Sequence, residues 1–320
     1  MGYSPRHRMQ AFFWMDSTLE SNWLFRYRYR KFTAKNSVWT IYSPKCVEGC
    51  KKNSLFTNFF GGRRQNITLG FSPNLNKFEL SQAFNASFKE IIQNPLPYEI
   101  VKTGPVMDNV MEGDEVNVLS FPTPLWHAGD GGRYIGTGSF NVTRDPVENW
   151  VNVGTYRVMV HDKRTVGFYI SPGKHGRIHR QKYLGDNQPM PVCVVVGIDP
   201  LSFLMSSTEI PYGICEYDVM GAYRGKPIQC VLGKHTGLPF PAHAEIVIEG
   251  YVDPEQLIPE GPFGDWCGSY TEKGRMRPKC EVVAIYHRNN PIILGLFCNF
   301  IADFKSFVIN SIIVTSFNFY

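Results

Sequence analysis

The sequence has no apolar run long enough to cross a bilayer, which takes about 20 residues; its most apolar stretch, Phe307 to Tyr320, is shorter than that. No apolar segment of signal-peptide length follows the polar, basic opening Met1 to Arg8. Membrane insertion and secretion are therefore not expected, and a cytoplasmic location is. The Asn-x-Ser/Thr sequons at Asn66, Asn85 and Asn141 are read as chance matches. Charge of one sign is also scarce. The net charge is +5 and no lysine or arginine run dominates, so the balance argues for neither a nucleic acid nor a membrane surface. One stretch, Trp23 to Phe32, alternates aromatic and basic residues, but a single basic strand supplies few phosphate contacts. The chain has no P-loop, no dinucleotide fingerprint and no internal repeat. Its eight cysteines include one close pair, Cys46 and Cys50, and that spacing alone does not make a zinc site. They are read as reduced thiols.

What is present is ample material for a core: 320 residues, 43% of them hydrophobic and 14% aromatic. Strand-like runs fall at 151–160, 166–170, 191–197, 227–232, 244–251 and 280–286, separated by Gly, Pro and Asp turns. Their spacing predicts an antiparallel barrel rather than a parallel sheet. Phe84, Phe88 and Ile91 or Ile92 recur at helical spacing and predict a helix over 80–92, with another near 200–208. Ala244, Ile246 and Ile248 alternate with Glu245, Val247 and Glu249, which predicts a half-buried strand ended by Gly250.

Beyond that strand, Gly261, Pro262 and Gly264 force a turn that lets Glu260 and Asp265 point into one cavity. Two such acids need a cation between them if one is to stay ionised and the other to carry a proton. Arg157 is the best candidate.

Seven blocks occur in one order: DGGRYIGTG (130–138), NVGTYR (152–157), SPGKHG (171–176), GIDP (197–200), EYDVMGAYRGKP (216–227), PAHAEIVIEG (241–250) and EGPFGDW (260–266). Together they resemble the UbiD-like decarboxylases, which use prenylated FMN. The resemblance implies a mainly β fold with α+β flanks, built on a split β-barrel of the flavin-binding type. It starts near Pro95, so the expected domains are a divergent α+β segment over 1–94, the flavin-binding barrel over 95–300 and an apolar tail over 301–320. The family continues past residue 293 into a long helix and a further domain, and the tail does not match them. The chain is accordingly expected to be truncated, poorly soluble and nearly inactive alone.

The resemblance also assigns roles. Asn152, His175 and Glu216 would hold Mn2+ or Mg2+ against the flavin phosphate, a set of carbonyl oxygen, imidazole and carboxylate that suits such an ion. Main-chain groups of Val153, Gly154, Thr155, Tyr156 and Arg157 would cradle the cofactor, with charge from Lys174. Some relatives hold K+ near Met205, Ser206, Thr208 and Glu216. Arg157 would bind the substrate carboxylate, Glu260 would fix Arg157, and Asp265 would be the acid. The expected partners are a small carboxylic acid, a flavin prenyltransferase that supplies the cofactor, and further copies of the chain. The expected activity is a reversible, non-oxidative decarboxylation of an aromatic, heteroaromatic or α,β-unsaturated acid. A catalytically impaired flavin-binding fragment and a split-barrel flavin reductase are the alternatives. His127 and Asp130 could form an acid–base pair, but the glycines beside them favour a turn that Asp130 caps.

Overall fold

The computed structural model describes residues 63–121, 123–127, 129–264, 270 and 273–295, together with the backbone of four short strands between residues 33 and 57. Expectations placed on Trp23 to Phe32, Cys46, Cys50, Asp265 and the tail 301–320 lie outside the described residues.

A nine-stranded antiparallel sheet dominates. Its strands are β1 (Asn109–Glu112), β2 (Arg133–Gly136), β3 (Ser139–Arg144), β4 (Val151–Gly154), β5 (Val158–Val160), β6 (Thr165–Phe168), β7 (Met190–Val196), β8 (Ile246–Glu260) and β9 (Arg275–His287). The order across the sheet is β2-β5-β6-β9-β8-β7-β3-β4, with β1 pairing the C-terminal half of β9. The sheet curls into a half-barrel, as the strand spacing predicts.

The strands bury both faces. Val192, Val194 and Val196 of β7 and Ile246 and Ile248 of β8 enter one apolar cluster with Tyr134, Val158 and Phe168. Their alternates Cys193, Val195 and Val247 enter a second cluster, shared with three of the helices. This explains why β7 reads as a continuous apolar run rather than an alternating one. The helices are α1 (Lys77–Gln93), α2 (His175–Gly185), α3 (Pro200–Ser207) and α4 (Glu216–Arg224). Helix α1 starts at Lys77, three residues before the expected start at 80, because Asn76 and Glu79 form a reciprocal capping box. Its Leu80, Phe84 and Phe88 pack into the same cluster as Phe140, Val142 and Val153 of the sheet. Residues on either side of position 94 thus share one core.

Two expectations for β8 need correction. The strand is not half-buried, since Glu245 and Glu249 are buried as well as the isoleucines. Glu249 accepts hydrogen bonds from the His235 and Thr236 N–H groups and from the Thr236 and Tyr286 hydroxyls, which satisfies a carboxylate in the core. Nor does Gly250 end the strand. It sits at a bulge in the pairing with β9, where a Cβ would lie 2.4 Å from the Glu281 carbonyl oxygen. Glycine serves close backbone approach there, and β8 runs on to deliver Glu260.

No helix among the described residues is long and apolar enough to cross a membrane. Cys193, Cys215, Cys230 and Cys280 are buried free thiols. Asn66, Asn85 and Asn141, the sequon asparagines, are buried.

Candidate active site

Arg157 precedes β5 and Glu260 is the last residue of β8, so two strand ends bring together residues 103 positions apart. The Glu260 carboxylate, 2% exposed, accepts from Arg157 Nε at 2.8 Å and from Arg157 Nη2 at 2.8 Å. This is a bidentate pair with fixed geometry. Tyr134 on β2 donates its hydroxyl to the same carboxylate at 2.9 Å. Burial, reinforced by the charge of Glu260, pushes the Tyr134 phenol up and keeps it a donor. Aromatic rings wall the guanidinium: its carbon lies 5.1 Å from the Tyr169 ring centre and 5.8 Å from that of Phe263.

A second loop fixes the turn after Glu260. Asp130 accepts the His127 N–H at 2.9 Å, capping its own turn, and also accepts the Gly264 N–H at 2.8 Å. Gly131 N–H donates to the Pro262 carbonyl at 2.7 Å. A Cβ on Gly131 would sit 2.0 Å from the Gly261 carbonyl oxygen, so only glycine permits this approach. Both Asp130 oxygens are engaged by backbone N–H groups, the arrangement of a clamp. The clamp to Gly264 had no signal in the sequence, because it links loops 134 residues apart.

The second group of candidates surrounds Tyr156. Glu216, the first residue of α4, is 4% exposed and accepts the Val153 N–H at 2.6 Å. Burial pushes its carboxyl up to about 8, and among the described residues no cation pairs with it. Asn152 on β4 donates through Nδ2 to Thr143 Oγ1 at 3.3 Å and to the Tyr156 hydroxyl at 3.4 Å. That hydroxyl also accepts the Gly176 N–H at 3.2 Å, one residue beyond His175. His175 opens α2 with its ring edge-on to Trp150 and Tyr212. Burial lowers its pKa, and the neutral imidazole is the form that ligates metals. Glu216 through the Val153 N–H, and Asn152 and the Gly176 N–H through the Tyr156 hydroxyl, are thus tied to the segment 152–157.

Other expected contacts are already occupied. The Thr155 N–H donates to the Ser206 carbonyl at 3.2 Å, which removes it from the expected phosphate cradle. Lys174 is exposed and lies 3.6 Å from Glu209. The Met205 carbonyl, expected near K+, accepts the Thr208 N–H. Asp265 is outside the described residues.

The UbiD family model, described as a 3-octaprenyl-4-hydroxybenzoate carboxy-lyase Rift-related domain, matches residues 99–299. The chain belongs to the UbiD family. It is 33% identical over 199 residues to the pyrrole-2-carboxylic acid decarboxylase of Pseudomonas aeruginosa, covering 62% of this chain and 40% of that protein. It is 32% identical over 257 residues to the phenolic acid decarboxylase of Sedimentibacter hydroxybenzoicus, covering 77% of this chain and 52% of that one. Among solved structures, the vanillic acid decarboxylase of Sedimentibacter hydroxybenzoicus in closed form superposes with a TM-score of 0.71 at 32% identity, over 77% of this chain and 52% of that chain. The UbiD-class enzyme HmfF from Pelotomaculum thermopropionicum, in complex with prFMN, gives 0.70 at 26% identity over 77% and 56%. This UbiD chain spans about half the length, or less, of the curated relatives it matches.

The residues fit the ion that a UbiD site implies. Glu216 is a buried carboxyl group that no cation among the described residues faces, and both amide hydrogens of Asn152 are engaged, which leaves its carbonyl oxygen as the ligating atom. A hard or borderline divalent ion suits that mixture of oxygen and imidazole donors.

Proposed function

We propose that this UbiD chain carries the site of a reversible, non-oxidative decarboxylase of aromatic, heteroaromatic or α,β-unsaturated acids. It would work with prenylated FMN, made by a flavin prenyltransferase, and with Mn2+ or Mg2+. The observation that carries the reading is the Arg157–Glu260 pair, fixed at two points and set against Tyr169 and Phe263. A structural ion pair could be built anywhere, but this one sits where two strand ends meet a glycine-rich turn.

In this reading Asn152, His175 and Glu216 would hold the ion, whose charge would help retain the flavin phosphate. When bound, the prenylated flavin supplies the electron sink for the bonding pair released as carbon dioxide leaves. Arg157 orients the substrate carboxylate by charge-assisted hydrogen bonds. Glu260 and Tyr134 hold Arg157 still. Phe263 and Tyr169 wall the guanidinium on two sides. Asp265 delivers a proton to the carbon that loses carbon dioxide, and in the reverse direction takes it back.

The test is to co-produce the chain with a flavin prenyltransferase and Mn2+, then to measure labelled carbon dioxide release from a panel of pyrrole, phenolic and acrylic acids. Release that is lost in Arg157→Ala and in Asp265→Asn is the expected result. Full parental release in either variant removes the role of that residue, and a loaded chain whose slow release and bicarbonate exchange do not exceed those of the flavin-free chain refutes the reading.

A further inference from the structure

Helix α2 carries a second histidine, His179, one turn beyond His175. It is 0% exposed and lies in a connected series of polar groups. Its Nδ1 is 3.0 Å from Thr143 Oγ1, and its Nε2 is 3.7 Å from the buried carboxylate of Asp145. Burial pushes the imidazole down to about 4, so at neutral pH it carries one N–H. Burial works against ionisation of Asp145, but the Glu148 N–H, Lys182 and the Val147 N–H outweigh it and hold the carboxyl below its ordinary range. A carboxylate on the Nε2 side favours the N–H at Nε2 and leaves the Nδ1 lone pair to accept the Thr143 hydroxyl proton. The Thr143 oxygen must then accept rather than donate toward Asn152.

That polarity fixes the Asn152 amide. Its nitrogen faces two oxygens, Thr143 Oγ1 at 3.3 Å and Tyr156 OH at 3.4 Å. A flipped amide would set its carbonyl oxygen against Thr143 Oγ1, whose one proton has gone to His179, and would lose that hydrogen bond. We propose that His179, acting through Thr143, is a positioning residue that holds the Asn152 carbonyl oxygen toward the divalent ion and thereby sets ion affinity without touching the ion. This rests on the metal reading given above.

The experiment titrates the 320-residue chain with Mn2+ in the presence of FMN, following free Mn2+ by electron paramagnetic resonance, and records thermal unfolding of each metal-free variant. His179→Leu removes the acceptor and is expected to weaken Mn2+ binding about 10-fold or more, the usual effect of losing an outer-shell partner. His179→Asn places an oxygen where Nδ1 lay and is expected to restore binding to near the parental level. Thr143→Val should match His179→Leu, Thr143→Ser should bind like the parent, and His179→Leu added to Thr143→Val should weaken binding no further. Parental affinity in a folded His179→Leu or Thr143→Val chain overturns the proposal. So does an equal loss in His179→Leu and His179→Asn, or in Thr143→Val and Thr143→Ser, since that marks a packing role. A parental chain that does not bind Mn2+ at all instead refutes the metal reading on which the proposal stands.

Discussion

Replacing Glu260 by glutamine tests the Arg157–Glu260 pair independently of any cofactor. Glutamine keeps the shape but brings an NH2 group. In one orientation that group meets Arg157 Nε and the Tyr134 hydroxyl, both donors to Oε1; in the other it meets Arg157 Nη2, the donor to Oε2. Donor faces donor either way. Breaking a buried pair by removing one partner costs about 3–5 kcal/mol. The Arg157 side chain keeps 25% of its surface exposed, and water can rescue part of its charge, so about 2–3 kcal/mol is the expected loss. For a domain of this size that lowers the melting temperature by about 4–12 °C. The assay is thermal unfolding of metal-free, flavin-free chain. The double variant Glu260→Leu with Arg157→Met should lose less than Glu260→Gln, because no unpaired charge remains. A Glu260→Gln chain that melts within about 1 °C of the parent would refute the reasoning, since a buried pair cannot be worth so little if its geometry is as described.

Gly250→Ala should destabilise the chain by about 1–3 kcal/mol in urea unfolding, because the added Cβ would meet the Glu281 carbonyl oxygen at 2.4 Å and Cys280 Sγ at 3.0 Å; unchanged stability would show that the bulge is not where it is placed. Gly131→Ala should push the turn at Gly261 away from Asp130, and faster amide exchange at Gly264 with little change in the sheet is the expected readout. His179 gives a pH signature. Its folded pKa of about 4 is below its unfolded value, so its contribution is fully present above about pH 6.5 and is lost as pH falls toward 4, by at most about 1.4 kcal/mol per pH unit. Denaturant titrations of parent and His179→Leu across that window should show the steeper loss in the parent, and identical slopes would contradict it.

Much of this was legible in the residue pattern. Phe84, Phe88 and Ile92 announce α1 because the packing face repeats at helical spacing, and only its start needed the Asn76 cap to place it. Arg157 was named as the cation for Glu260 and Asp265, the resemblance made Glu260 the residue that fixes it, and the structure joins Arg157 to Glu260. Helices α2 and α4 were not expected: α2 buries only Gly176 and His179, which is no apolar stripe, and α4 sets its packing residues Tyr217, Val219, Met220 and Tyr223 among Glu216, Asp218 and Gly221. Gly250 was misjudged because a glycine that ends a strand and one that admits a neighbouring backbone look the same in sequence. The Asp145, His179, Thr143 and Asn152 series was out of reach, since hydrogen-bond polarity across 36 residues has no local signature.

If Asn152, His175 and Glu216 hold an ion and a flavin phosphate as one unit, the two ligands must bind together. Flavin fluorescence during titration of the chain with FMN, with and without Mn2+, measures this directly. Binding that tightens when Mn2+ is added, with the dependence abolished in Glu216→Gln, is the predicted result. FMN affinity indifferent to Mn2+ and to Glu216 would contradict the account.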